Sequence, residues 1–184
     1  MGNPAVKIAS YDDILDLPEN IVGEIIYGQL YTHPRPAPKH ALAASSVGGE
    51  LFLPFQKSRG ADGWWILDEP ELHIAEHVLV PDLAGWRKAK MPSLPKTAWF
   101  EVVPDWVCEI LSPSTARIDR TEKMPIYAAL GVSFCWLIDP LLQTLEVYKL
   151  HEGQWLLQHS LKDDDRVVAE PFAEHEFTLD NLWE

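Results

Sequence analysis

Cysteine is scarce: two residues in 184, Cys108 and Cys135, are too few for a disulfide framework or a four-cysteine zinc site. Long apolar runs are missing as well. No stretch approaches the roughly 20 residues that span a bilayer, and the first residues lack the apolar core of a secretion signal. The expectation is a soluble cytoplasmic protein with reduced thiols and no membrane partner. No internal repeat or low-complexity tract is present. Bases are few: 15 Lys and Arg face 28 Asp and Glu, for a net charge of −13. Such a balance counts against a nucleic-acid partner, whose binding domains usually carry a basic footprint.

What is present suits one globular domain over residues 1–184. Hydrophobic residues make up 47% of the chain, and a chain of this length buries roughly 70% of its unfolded surface without needing staples. The charge is uneven. Met1–Asp82 holds 12 acids and 5 bases, Leu83–Lys123 holds 5 acids and 7 bases, and Met124–Glu184 holds 11 acids and 3 bases. A mildly basic middle therefore lies between acidic flanks, either as ordinary solvated surface or as a face for an anionic polymer.

The 15 prolines cut the chain into short units, favouring many short strands over a helical bundle. Tyr11–Leu17 reads as a short helix ended by Pro18, and Val22–Thr32 as a hairpin turning at Gly28. Pro38–Lys57 reads as a helix with Val47, Leu51 and Phe55 on one face. Its Gly48-Gly49 pair either weakens the helix or permits close packing on a sheet. Trp64–Leu67, Glu71–Ile74 and Val78–Trp86 read as strands of a meander, and Trp106–Leu111, bounded by prolines, as a buried central strand. Asp119 and Glu122 form a capping box that opens a helix running to Gly131, with Pro125 inside it as a source of irregularity. Phe134–Ile138, Thr144–Leu150, Gln154–Ser160 and Arg166–Ala169 complete the strands. The fold class is α/β in the mixed α+β sense: a central mixed β-sheet flanked by helices, with an N-terminal hairpin and extra C-terminal strands.

Chemistry concentrates in Asp82, Glu109 and Lys123. A carboxylate within the apolar strand Trp106–Leu111 is costly to bury unpaired, so Glu109 calls for a cation. Asp82 follows Leu79-Val80-Pro81 on what should be the neighbouring strand. Two acids converging from adjacent strands suit a hard divalent ion, Mg²⁺ or Mn²⁺. A nearby ammonium, Lys123, then completes a phosphodiesterase arrangement.

These segments resemble the PD-(D/E)XK nuclease superfamily, and within it the Uma-two-like family of restriction endonucleases. The resemblance rests on Gly23–Gly28, Val80-Pro81-Asp82-Leu83, the run Trp106–Thr115 with its Glu109-Ile-Leu-Ser112-Pro113-Ser114, and Asp119–Tyr127 continuing to Pro140. It implies a restriction-endonuclease-like core in which Asp82 and Glu109 bind the metal, with the carbonyl of Ile110 as a further ligand. The usual Glu-x-Lys is broken, since Leu111 stands two after Glu109, and the resemblance assigns the lysine's role to Lys123 on the following helix. Arg120, one turn earlier, competes for that role. Tyr127 shares the face of Lys123 at i, i+4. Glu24 matches an acid that adds an outer metal contact, and His40 matches a family histidine. The implied function is metal-dependent hydrolysis of DNA, by a homodimer if both strands are cut.

Two other readings stand beside it. One is a nuclease-fold interaction module without catalysis. The other is a zinc metallopeptidase using His73-x-x-Glu76-His77, which needs both histidines one helical turn apart. A nucleophilic enzyme is disfavoured, because Cys108 and Cys135 lie in apolar strands and Ser112 has no histidine close in sequence. Trp64, Trp65 and Trp86 are the candidate exposed stacking residues, with core or dimer packing the commoner use of tryptophan.

Overall fold

Two β-sheets meet at the tripeptide Val80-Pro81-Asp82. The computed structural model of the protein describes residues 8–34, 36–57 and 59–183. Helix α1 (Tyr11–Leu15) leads into the hairpin of β1 (Ile21–Ile26) and β2 (Gln29–Pro34). Tyr27 and Gly28, at φ 50° and 71°, form its two-residue turn, and positive φ at both positions matches the strand twist. β4 (Leu72–Ile74) and β5 (His77–Leu79) join this hairpin in a four-stranded sheet of order β2-β1-β5-β4.

The second sheet is larger and mixed, of order β10-β9-β8-β7-β6-β3. Its strands are β3 (Trp64–Asp68), β6 (Leu83–Arg87), β7 (Trp106–Ile110), β8 (Phe134–Asp139), β9 (Thr144–His151) and β10 (Gln154–Lys162). Only β7 and β8 run parallel, joined by the helical segment between them. The run Val78–Trp86 is thus not one strand of a meander. Pro81, which cannot donate to a ladder, breaks it, and β5 and β6 enter different sheets.

The large sheet has a core on each face. On one, helix α2 (Pro38–Leu51) buries Ala43, Val47 and Leu51 against Trp106, Cys108 and Trp136. A π-helical turn, Phe52–Lys57, continues α2 and buries Phe55 in the same core. The C-terminal pieces β11 (Arg166–Val167), β12 (Phe177–Thr178) and the 3₁₀ turn Leu179–Leu182 close this side. On the other face, Val107, Cys135 and Leu137 pack against Ile126 and Tyr127 of helix α4 (Met124–Leu130). Trp64 and Trp86 are buried in these two cores, so neither is a surface stacking platform; Trp65 is half-buried, with its Nε1 donating to the Met91 carbonyl at 2.9 Å. Aromatic area gains most by leaving water, which decides their place.

The helical segment after β7 starts earlier than the capping-box reading. Helix α3 (Ala116–Ile118) is capped at Thr115 and continues through a π-helical turn, Asp119–Lys123, into α4. Asp119 is therefore internal and buried. In a regular α-helix the Pro125 ring would crowd the carbonyl four residues back, and the widened turn just before it relieves that clash. Gly131, at φ 83°, ends the helix as expected.

The peptidase arrangement is absent. His73 and His77 lie on paired strands β4 and β5 around a turn at Ala75-Glu76. His73 Nε2 lies 2.7 Å from Glu71 Oε1 and its ring stacks on Trp99, whereas His77 Nδ1 accepts the Tyr27 amide at 3.3 Å. The pattern is a hairpin, so no helical turn aligns the histidines.

Candidate active site

Strand alternation sends Trp106, Cys108 and Ile110 towards α2, and Val107 and Glu109 towards α4. Leu83 pairs with Cys108, which leaves Asp82, just before β6, beside Glu109. The two acids exchange backbone contacts. Asp82 Oδ2 accepts the Ile110 amide at 2.7 Å, and Glu109 Oε2 receives the Asp82 amide at 3.4 Å. The Pro81 corner and the end of β7 thus fix both carboxylates through the main chain.

Glu109 Oε1 faces the other way. It accepts the Tyr127 hydroxyl at 2.6 Å and lies 2.9 Å from Lys123 Nζ. Lys123 Nζ is also 3.0 Å from Glu24 Oε1 and 3.2 Å from the Val80 carbonyl, with Asp119 Oδ1 at 3.8 Å. Oε2 of Glu109 is left with only its long amide contact, on the side of Asp82.

Three buried carboxylates, those of Glu24, Glu109 and Asp119, surround one ammonium, and Asp82 lies beside Glu109. Burial pushes the pKa of Glu109 well above the ordinary carboxylate range, only partly opposed by Lys123. Burial works against the charged Lys123, but Glu109 and Glu24 outweigh it and hold its pKa well above that of a free lysine. Glu24 behaves oppositely to Glu109. Burial would raise it, yet Lys123, His33 and the Val80 amide together hold it below normal. Asp119 is raised by burial despite Lys123.

The structure brings together Asp82, Glu109, Lys123, Tyr127, Glu24 and His40. His40 Nε2, from the first turn of α2, lies 3.1 Å from Asp82 Oδ1, and its buried Nδ1 has no hydrogen-bond partner among the described residues. Burial disfavours its charge, but Asp82 and the Ile110 backbone raise its pKa overall. Both oxygens of Glu24 are engaged: Oε1 by Lys123 and the Val80 amide, Oε2 by His33 at 3.7 Å. Glu24 is thus held chiefly as the ion-pair partner of Lys123. Arg120 does not compete for the lysine's role, because its guanidinium points away to Glu146 at 2.7 Å.

His33, Asp119 and Val80 carry part of the site that sequence reasoning missed. The i, i+4 spacing of Asp119 and Lys123 was the one available signal.

Asp82 and His40 line an open cleft of about 210 Å³ with His33, Ser112 and Ser114. Ser112 Oγ is tied into the turn that starts α3, accepting the Thr115 amide at 3.2 Å. No lysine or arginine lines this cleft among the described residues. The bases of Leu83–Lys123 do not gather there: Arg87 and Lys88 lie over the rings of Trp64 and Trp65, Lys90 pairs with Asp105, and Lys123 is buried.

Among the described residues no three His, Cys, Asp or Glu side chains form a ready metal cluster. The donors nevertheless fit a hard cation. Asp82 and Glu109 converge, Oε2 of Glu109 is buried and under-satisfied, and the excess of carboxylate over ammonium asks for positive charge.

The fold and this carboxylate pair define a nuclease-like protein. A crystal structure from Anabaena variabilis, described as a "putative nuclease belonging to DUF820", matches with a TM-score of 0.76 at 26% identity, covering 95% of this chain and 97% of the other. Residues 10–181 match the model of the Uma2 family, described as "Putative restriction endonuclease", and the chain belongs to that family. No curated protein matches it. Among the described residues no helix is long and apolar enough to cross a membrane.

Proposed function

We propose that the protein is a divalent-metal-dependent endonuclease that hydrolyses DNA phosphodiester bonds. One observation carries this reading: Asp82 lies beside Glu109 at the end of β7, with its amide on the under-satisfied Oε2 and its Oδ2 on the Ile110 amide, while Lys123 holds the opposite oxygen of Glu109. Asp82, Glu109 and the Ile110 carbonyl would hold Mg²⁺ or Mn²⁺. That ion, when bound, polarises the phosphoryl oxygen and lowers the pKa of a coordinated water. Tyr127 and Lys123 fix Oε1, which leaves Oε2 on the side of Asp82. Lys123 also supplies positive charge against the negative charge that develops during attack. Glu24 keeps Lys123 in place, and His40 sits where it can exchange a proton with groups in the cleft. The reading includes one domain over residues 1–184, a cytoplasmic setting, and a two-fold dimer for cutting both strands.

The test is cleavage of supercoiled plasmid DNA with Mg²⁺ or Mn²⁺, by wild type, Asp82→Ala and Lys123→Ala. Metal-dependent nicking by wild type alone is expected. Equal nicking by all three proteins would defeat the assignment.

A second reading, an interaction module without catalysis, draws on the burial of Lys123, which is only 2% exposed among carboxylates. An ammonium so enclosed also serves as a structural counter-ion. Plasmid left intact by wild type under every metal condition would favour it.

A further inference from the structure

Beyond Asp82, the cleft continues. Past His40 and Ala44 it opens into a groove of about 560 Å³ between α2 and the edge of the large sheet, within the range of small-ligand sites. The two hollows share Ala44, Ser45 and Asp68. Gly49 presents bare backbone, with open space where a side chain would stand, and Gly48 lies against Leu83. Phe52 forms part of the wall, with 43% of its surface exposed. The groove is therefore largely apolar and continuous with the cleft at Asp82.

Its charge disfavours one class of occupant. Asp68 lines the groove, and Asp82 and Glu69 line its junction with the cleft, while no lysine or arginine lines either among the described residues. Asp68 disfavours a phosphate inside the groove itself and tolerates an uncharged planar group there. The groove also offers two exposed polar side chains, the Ser45 hydroxyl and the Asp68 carboxylate. Burial and the charge of Asp82 raise the pKa of Asp68. A carboxylate or carboxyl and a hydroxyl suit the amino and carbonyl edge of a nucleobase, and an exposed aromatic ring suits its face.

We infer that this groove is a nucleobase subsite. It takes one base, unstacked from its neighbours, beside the phosphodiester held at Asp82. The inference rests on the nuclease reading and extends it. Because a base in a continuous duplex cannot enter such a groove, the preferred substrate has that base free, in a single strand or extruded from a helix.

The test uses short single-stranded DNA carrying a single abasic position walked along its length, at low salt with Mg²⁺ or Mn²⁺. Binding is followed by anisotropy and cleavage by gel, with wild type, Phe52→Ala and Gly49→Leu, and each variant's fold is checked by its melting curve. Removing the base at one position next to the cut should weaken wild-type binding at least tenfold. Phe52→Ala should lose as much on the intact strand and be insensitive to the abasic change, and Gly49→Leu should bind like the abasic complex. A 2-aminopurine at that position should change fluorescence on binding wild type, not Gly49→Leu.

The inference falls if no abasic position costs more than twofold, or if both folded variants bind intact strands as wild type does. Base-dependent binding without cleavage would keep the subsite and remove the nuclease reading. Cleavage with no base dependence would do the reverse, and a wild type that binds no strand removes both.

Discussion

Tyr127 donates its hydroxyl hydrogen to Oε1 of Glu109 at 2.6 Å, closing a contact between α4 and β7 in the buried core. The same oxygen meets Lys123, so both of its partners come from one helical segment. Glu109 is left with one satisfied and one under-satisfied oxygen. This asymmetry makes the side chain a stability cost and a ligand at once.

Replacing Glu109 with Gln should therefore stabilise the metal-free protein and abolish cleavage. The amide keeps an acceptor for Tyr127 and removes a charge that burial penalises, while Glu24 remains as counter-ion to Lys123. A melting temperature in chelator a few degrees above wild type is expected, the response of a chain of this size to about 1 kcal/mol.

The pH dependence should separate Glu109 from Glu24. The folded pKa of Glu109 lies above its unfolded value, so its contribution is fully present below the ordinary carboxylate range and is lost as pH rises through the raised value. The folded pKa of Glu24 lies below its unfolded value, so its contribution is present above that range and is lost as pH falls through the depressed one. Melting curves in chelator should show Glu109→Gln flattening the decline on the alkaline side and Glu24→Gln flattening the decline on the acid side. The same slope in both variants would contradict the assigned partners.

Lys123→Met should be the most destabilising change in the cluster, by about 3–5 kcal/mol, because it leaves Glu24 and Glu109 buried without their cation. Adding Glu24→Gln to it should recover part of the loss, measured as the urea midpoint of the double variant against the single one. Independent, additive losses would mean the two residues are not coupled.

Divalent metal should raise the melting temperature of wild type but not of Asp82→Asn. Binding at 100 times Kd adds about 2.7 kcal/mol. Asp82 is the carboxylate of the pair that reaches the cleft, so its amide should remove most of the effect. Equal shifts in both proteins would place the ion elsewhere.

Much of this site was legible because it lies where local pattern is strong. Glu109 stands out in an apolar strand bounded by prolines, and Gly131 marks the end of the next helix in both sequence and structure. The pairing of Asp82 with Glu109 followed from two short strands that had to be neighbours. Sheet membership was not legible. Pro81 marks a break between β5 and β6, but nothing local says that the two enter different sheets, and the corner they make is what aims Asp82. The capping box at Asp119 misled for a similar reason. Its residues can cap a helix, but a widened turn tolerates Pro125 and draws Asp119 inward to Lys123. Composition gives an aromatic ring the same signal in a core as on a surface, so Trp64 and Trp86 were misplaced. The segment's net charge misled too, because Lys123 is spent on carboxylates inside.

The Gly48-Gly49 pair offers a contrast in one helix. Both lie in the last turn and a half of α2, where each costs about 1 kcal/mol relative to alanine. At Gly49 a Cβ would meet nothing, so Gly49→Ala should stabilise by about 0.5–1 kcal/mol through helix propensity and a less flexible unfolded chain. At Gly48 a Cβ would stand 3.3 Å from Leu83 Cδ2, tighter than an ordinary contact and directly against the start of β6. Gly48→Ala should therefore gain little or lose stability, because Leu83 must give way in a packed core. Urea midpoints that rise equally for the two variants would show that α2 is not seated on Leu83, and the strand that carries Asp82 would then lack the support described here.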